Sequence, residues 1–360
     1  MSKAMPRASG YFRTNYRQDF RLVETRAQRL SLALLAIALA VFPLIATPFA
    51  LDLACQVFLA GVGALSLMLL TGYAGQISLG HAGLLAAGAF TAGILFKEAH
   101  APFWITLPAA ALVGGLLGIV FGLPSLRLRG LYLAVSTLAL HFVVVYLGAE
   151  YETRRGFSTG IVIDPPNLGS LAARSGHTWY FILLVTVAAT LFVSMNLLRS
   201  RTGRAWRALR SNETVAETLG ISIARYKLRA FVISSAITAV AGALFAYYRG
   251  FVSVEAFSLF LTIQYVAMII IGGMGSLLGA LMGAAFVTLL PYATEKGLLA
   301  LPGAERHAGA VFAVNYAAFG LAMILFLLFE PQGLVGIWRR VQSYFLLWPF
   351  RHRPVGRRSP

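Results

Sequence analysis

The chain has 360 residues, of which 58% are hydrophobic and only 12% are charged, yet its formal charge is +17. A soluble fold of this composition would lack the polar residues to cover its surface, so a water-soluble globular domain is excluded and a membrane protein is expected. Cys55 is the single cysteine, which rules out an intrachain disulfide and a thiolate-built metal site.

Residues 1–29 carry seven Lys and Arg and lack the short apolar core and small-residue cleavage site of a secretory signal. They are read as a basic cytoplasmic tail. From residue 30 onward, apolar runs near the length of about 20 residues that carries a helix across the hydrocarbon layer recur in succession. They fall near 30–50, 53–72, 76–96, 103–123, 131–149, 179–198, 230–249, 258–272, 275–292 and 311–329. The expected fold is an all-α, polytopic integral membrane bundle of about ten segments, or eight to ten, since 258–272 is short and either it or 76–96 could be re-entrant.

Charge tests the topology. With a cytoplasmic N-terminus, the inside segments are 1–29, 125–130, 199–229 and 330–360, which hold seven, two, eight and six Lys and Arg, together 23 of 30. Eight of the 13 acids lie outside. This is the bias that orients membrane proteins. Making 76–96 re-entrant on its own would put Arg127 and Arg129 outside and reverse every later assignment. An even number of spans returns a second basic tail, 337–360, to the cytoplasm, leaving 30–336 as the transmembrane domain. The basic residues flank spans instead of lining one face, so they serve orientation and contact with anionic lipid headgroups, not nucleic-acid binding.

Between the second and third segments stands TGYAGQISLGHAG, Thr71 to Gly83. Its glycines, Gly72, Gly75, Gly80 and Gly83, permit a kink or close packing, while Gln76, Ser78 and His81 present hydrogen-bonding groups. Irregular backbone at membrane depth must be buried by protein or wetted by a cavity, so the stretch is either a packing element or a lining of a pathway. Gly114, Gly118 and Gly122 recur every four residues, as do Gly275, Gly279 and Gly283, a pattern of close helix approach. The other polar groups within segments are neutral, among them Thr137, His141, Gln264, Tyr265, Asn315 and Tyr316. Almost no ionised residue lies within a proposed helix, which leaves a proton relay without candidates.

An enzyme is equally poorly supported. The six histidines are scattered without metal-ligand spacing, and none of the four lysines follows a glycine, so there is no phosphate-binding G-x-x-x-x-G-K-[ST] loop.

The connection after the sixth segment reads RSRTGRAWRALRSNETVAETLGISIARYKLRAF, Arg199 to Phe231. Ser211 or Asn212 can cap a short helix with Glu213 in its first turn, and Gly220 can end it. Val215, Ala216 and Leu219 are expected on one face. A short helix with a small apolar face between basic flanks suits a groove in another protein, or alternatively the headgroup surface.

Here the sequence resembles a known family. The loop is similar to the EAA coupling loop of ABC-importer permeases, and residues 50 to 336 resemble the LivM-type permease of branched-chain amino acid importers. The match rests on GYAGQISLGHAGLLAAGAFTAG (Gly72 to Gly93), GRAWRALRSNETVAETLGISIARYKLRAFVISSAITAVAGALFA (Gly203 to Ala246), GGMGSLLGALMGA (Gly272 to Ala284) and FEPQGLVGI (Phe329 to Ile337). Within the loop only Ala216 and Gly220 fit a strict Glu-Ala-Ala-x-x-x-Gly, with Glu213 one place early. The resemblance implies a bacterial inner-membrane permease subunit that binds no cofactor itself. It implies a LivH-type second permease, two cytoplasmic ATPase subunits that hydrolyse the ATP, and a periplasmic substrate-binding protein. Glu213, Val215, Ala216, Leu219 and Gly220 would couple to an ATPase, and Gln76, Ser78, His81 and Gln264 are candidates for the substrate path. Branched-chain or other neutral amino acids are the expected cargo; urea or short amides suit a related importer, and a self-sufficient transporter or channel is the reading from another class.

Overall fold

A computed structural model describes residues 26–128, 130–157, 160–168, 171–172, 176–299, 311–330 and 332–347. Arg129, and residues 1–25 and 348–360 of the two expected tails, lie outside the described residues, as does the Asn315 side chain. The described part is helical apart from two small two-stranded pairings.

Helix α1, Arg26–Ile45, contains Pro43, and a new helix starts at Pro48, so the expected segment 30–50 is two pieces. Proline has no N–H for the carbonyl four residues back. The Leu39 carbonyl, orphaned by Pro43, instead accepts from the Tyr180 hydroxyl at 2.8 Å, and the Pro43 carbonyl meets His177 Nε2 at 3.1 Å. Both partners come from α6, Gly176–Arg199. Such replacement is what lets a broken helix persist where lipid offers no hydrogen bonds.

Helix α2, Pro48–Leu67, is capped by Thr47, whose hydroxyl accepts from Ala50 N at 3.3 Å, and continues as a π-helical turn over Met68–Tyr73. Residues 74–80 are non-helical, and α3 starts at His81, five residues later than the expected third segment, and ends at Ala99. Then come α4, Phe103–Ser125, and α5, Leu131–Arg155, followed by the short strands β1, Ile161–Val162, β2, Asn167–Leu168, and β3, Leu171–Ala172. After α6 lie α7, Arg201–Ser211, and α8, Glu213–Thr218; α9 spans Ile223–Arg249. Strand β4, Phe251–Val252, pairs antiparallel with β1. The chain closes with α10, Leu259–Gly272, α11, Leu277–Leu299, α12, Val311–Phe329, and α13, Gly333–Leu347, which runs across position 336.

Among the described residues seven helices are long and apolar enough to cross a membrane, eight if α12 and α13, bent by 51° to each other, form one span. Helix α10, at 14 residues, is shorter. The spans form two layers. The most apolar windows of α2, α3 and α9 are 72%, 61% and 67% buried, against 28% to 33% for α4, α5, α6 and α11, so three helices make the centre and the others surround it.

Glycine sets how closely the centre packs. A Cβ at Gly88 of α3 would lie 1.9 Å from the Ala239 carbonyl oxygen of α9, and one at Gly242 of α9 would lie 1.9 Å from that of Leu85 of α3. The two backbones therefore touch. Gly114, Gly118 and Gly122 of α4 face α9 as their spacing predicts, with virtual Cβ atoms 2.6 Å from the Ser235 carbonyl oxygen, 2.9 Å from that of Phe231 and 3.1 Å from the Phe231 Cβ. In the other stripe, Gly279 and Gly283 pack on Gly272 and Met268 of α10, but Gly275 precedes α11 and faces Arg210. The four-residue spacing could not show that Gly275 falls in a turn.

The segments grouped by charge also meet in space. At one end the 72–80 break, α7, the 273–276 turn and Gln332 come together. At the other, Glu98 accepts from Tyr151 at 2.9 Å and pairs with Arg155 at 3.1 Å, while Glu152 accepts from Val254 N at 3.2 Å.

Candidate functional site

Two features have the chemistry of function: the projecting loop at one end of the bundle and a cavity toward the other.

The loop is anchored before it projects. Ser200 caps α7, accepting from Thr202 N at 3.2 Å, and Trp206, fully buried, donates through Nε1 to the Tyr226 carbonyl of α9 at 2.9 Å. Of the two candidate caps for the short helix, Asn212 is the one used, its Oδ1 accepting from Val215 N at 3.1 Å. Gly220 ends α8 with φ +80°, a conformation costly for a residue with a Cβ, and the Ile221 amide reaches back to the Ala216 carbonyl at 3.1 Å. The expected shared face splits. Val215 and Leu219, four apart, are 53% and 73% exposed, whereas Ala216 is buried. One residue further along a helix is a rotation of about 100°, which turns Ala216 toward the bundle.

Glu213, implied as a coupling residue, also has a partner within this chain. Its carboxylate pairs with Lys227 Nζ at 2.7 Å, and Lys227 is only 3% exposed. The ion pair ties the first turn of α8 to the start of α9 across the loop. Lys227→Met should leave a carboxylate facing a spent position and loosen the loop by about 2–3 kcal/mol, below the range for a fully buried pair because Glu213 keeps some water access. Hydrogen exchange at Val215 to Gly220 should then rise by about 30- to 100-fold, and adding Glu213→Gln should restore most of the protection; unchanged exchange in the single variant would refute the anchor.

The Thr71–Gly83 stretch is a helix break stapled from three sides. Leu79 N donates to Thr137 Oγ1 of α5 at 2.9 Å, and Ala82 N, in the first turn of α3, donates to Thr262 Oγ1 of α10 at 3.0 Å. The Gly72 carbonyl accepts from Arg210 of α7. These bonds satisfy backbone groups that a break would leave bare. Gln76 and Ser78 are buried and bonded within the break, to the Ala74 carbonyl and the Gly80 amide at 3.3 Å each. His81, also buried, stacks edge-on against Tyr265 with ring centroids 4.7 Å apart.

The cavity, of about 250 Å³, lies between α2, α9, α10 and α11. Gln264 and Tyr265 line it, so Gln264 faces open space and His81 stands one ring behind. Gln76 and Ser78 do not line it. On its rim is a chain of polar side chains that hydropathy reading missed. Gln56 Nε2 donates to Asp52 Oδ2 at 2.7 Å, the Tyr248 hydroxyl donates to Asp52 Oδ1, and the Tyr292 hydroxyl donates to Gln56 Oε1 at 3.1 Å. Asp52 was expected between two segments, but because α2 begins at Pro48 it stands inside a membrane helix. The signal was the Thr47-Pro48 pair, a helix start. Arg210 was read as one of several basic flanks; nothing local pairs it with Gly72, 138 residues away.

The profile of a family described as "Branched-chain amino acid transport system / permease component" matches residues 49–329. The chain is 33% identical over 337 residues to the high-affinity branched-chain amino acid transport system permease protein LivM of Salmonella typhimurium, spanning 86% of this chain and 75% of that one. Against the LivM protein of Escherichia coli the identity is 32% over 344 residues, 88% and 76% of the two chains. The LivH permease protein of Salmonella typhimurium is 30% identical over 170 residues, 46% of this chain and 49% of that one. No solved structure gives a significant match.

Proposed function

The chain belongs to the branched-chain amino acid transport permease family, and on that premise we propose that it carries branched-chain or other neutral amino acids across the bacterial cytoplasmic membrane as one of two permeases in an ATP-driven importer. It is a multi-pass membrane permease subunit. Its partners in this reading are a LivH-type permease, two cytoplasmic ATPase subunits and a periplasmic binding protein that delivers the cargo. The end bearing α7 and α8 faces the cytoplasm, in keeping with the eight basic residues of 199–229. Residues 30–336 form the permease domain, flanked by basic tails at 1–29 and 337–360.

The observation that carries this reading is α8. It is a capped, ion-pair-anchored helix whose Val215 and Leu219 are largely exposed. ATP chemistry belongs to the subunits that would grip it, since the sequence has no phosphate-binding loop of its own. Closing of the ATPase pair would draw the two coupling helices together and rock the permeases so that the pathway changes the side of the membrane to which it opens.

Gentle detergent extraction and capture of the tagged chain should recover a second permease and two ATPase polypeptides. Recovery of this chain alone, under conditions that keep other membrane complexes intact, would overturn the importer assignment.

A further inference from the structure

We propose that the cavity between α2, α9, α10 and α11 holds the zwitterionic head of an amino acid, its ammonium against the Asp52–Gln56–Tyr248 chain and its carboxylate against Arg249. This rests on the importer reading and adds to it where this chain meets its cargo and why the cargo is an amino acid.

An ionisable side chain within a membrane helix calls for a partner. Asp52 is half-buried in the second turn of α2, and its described partners, Gln56 and Tyr248, are neutral. Among the described residues no Lys or Arg pairs with it. Lys296 lies over the Phe49 ring at 5.9 Å. The carboxylate therefore leaves a negative field uncompensated by a cation, relayed to the cavity rim by Gln56, Tyr248 and Tyr292, all of which line it. Arg249 lines the same cavity, its guanidinium 5.8 Å from the Phe245 ring centroid. A guanidinium held there offers a fork of N–H donors that suits a carboxylate.

Arg249 on the wall and Asp52 one hydrogen bond behind Gln56 and Tyr248 set opposite charges beside one cavity, which matches a zwitterion. The rest of the wall includes Leu59, Leu261 and Met268, available to an aliphatic side chain. A volume of about 250 Å³ falls just below the range of about 300–1,000 Å³ that holds drug-sized ligands, which is room for one small molecule. Urea and short amides carry no charges and gain nothing from the Asp52–Arg249 opposition.

The test uses the complex purified with its second permease and ATPase. In a Cys55→Ala background, Thr288→Cys places a thiol on the cavity wall, and its labelling by a small methanethiosulfonate is timed. Leucine at about ten millimolar, enough to fill a site of about millimolar Kd, should slow labelling about fivefold or more, and urea should not. Asp52→Asn and, separately, Arg249→Gln should remove the protection while the ATPase still copurifies. If a complex that takes up leucine shows no protection, or if protection survives both substitutions, the site is refuted and the importer reading stands. If the wild-type complex takes up no neutral amino acid, the importer reading falls and this inference falls with it.

Discussion

Leu219→Asp will abolish uptake while leaving the chain folded in the membrane. Leu219 is 73% exposed and Val215 53%, so in this chain alone an acid at either place meets water and costs little. In a groove of a partner the same carboxylate would be stripped of water without a cation to meet it, a penalty of about 2 kcal/mol or more. That corresponds to about 30-fold weaker ATPase capture. Val215→Asp should behave alike, and Leu219→Met should retain most uptake because volume and polarity are kept. The measurement is ATPase copurified per permease together with leucine uptake in cells. Normal uptake by a stably inserted Leu219→Asp chain would end the docking assignment of α8.

The second large effect is expected at Arg210. Its guanidinium reaches out of α7 to the Gly72 carbonyl at the end of the π-helical turn and lies against Gly275, while the base of the side chain lies against Gly75. A virtual Cβ at Gly275 sits 2.8 Å from Arg210 Nη1, so the turn before α11 is shaped to the arginine. One side chain thus joins the loop, the break below α2 and the start of α11. π-helical turns often mark places where a helix changes shape for function. Arg210→Ala should leave α8 and ATPase capture intact, because Asn212, Glu213 and Trp206 hold the loop without it. Leucine delivered per ATP hydrolysed should fall about tenfold or more in reconstituted vesicles. Arg210→Lys should recover part of the loss by restoring one donor but not the fork. An unchanged ratio in the alanine variant would show that motion travels by another route.

The legible parts of the molecule were those written in short-range pattern. Gly114, Gly118 and Gly122 declare their face by repetition, whereas Gly88 and Gly242, which bring α3 and α9 together, are each surrounded by other small residues and gave no periodic sign. Asn212 and Gly220 could be read as helix signals because caps act over three or four residues. The Glu213–Lys227 pair could not, since it depends on how the loop folds back. Apolar averaging also hid Asp52: Pro48, Phe49, Ala50 and Leu51 look like the continuation of the preceding run until Thr47-Pro48 is read as a start. The role of Gln76, Ser78 and His81 stayed open for a similar reason. Their polarity serves a break as well as a pathway, and only geometry separates Gln264, on the cavity, from Gln76 and Ser78, which close the break.

The close approach of α3 and α9, at Gly88 on one helix and Gly242 on the other, has a mechanical meaning. Helix α9 is held at its lower end by Lys227, crosses α3 backbone to backbone at Gly242, and presents Tyr248 and Arg249 to the cavity. Fifteen residues separate the anchor from the crossing and seven separate the crossing from Arg249, about 22 Å and about 10 Å of helix. With no side chains between the backbones there is nothing compressible to slide over, so the crossing serves as a fulcrum. A lateral push at the loop would arrive at Tyr248 and Arg249 reversed in direction and roughly halved in size, a lever that trades travel for force at the cavity wall.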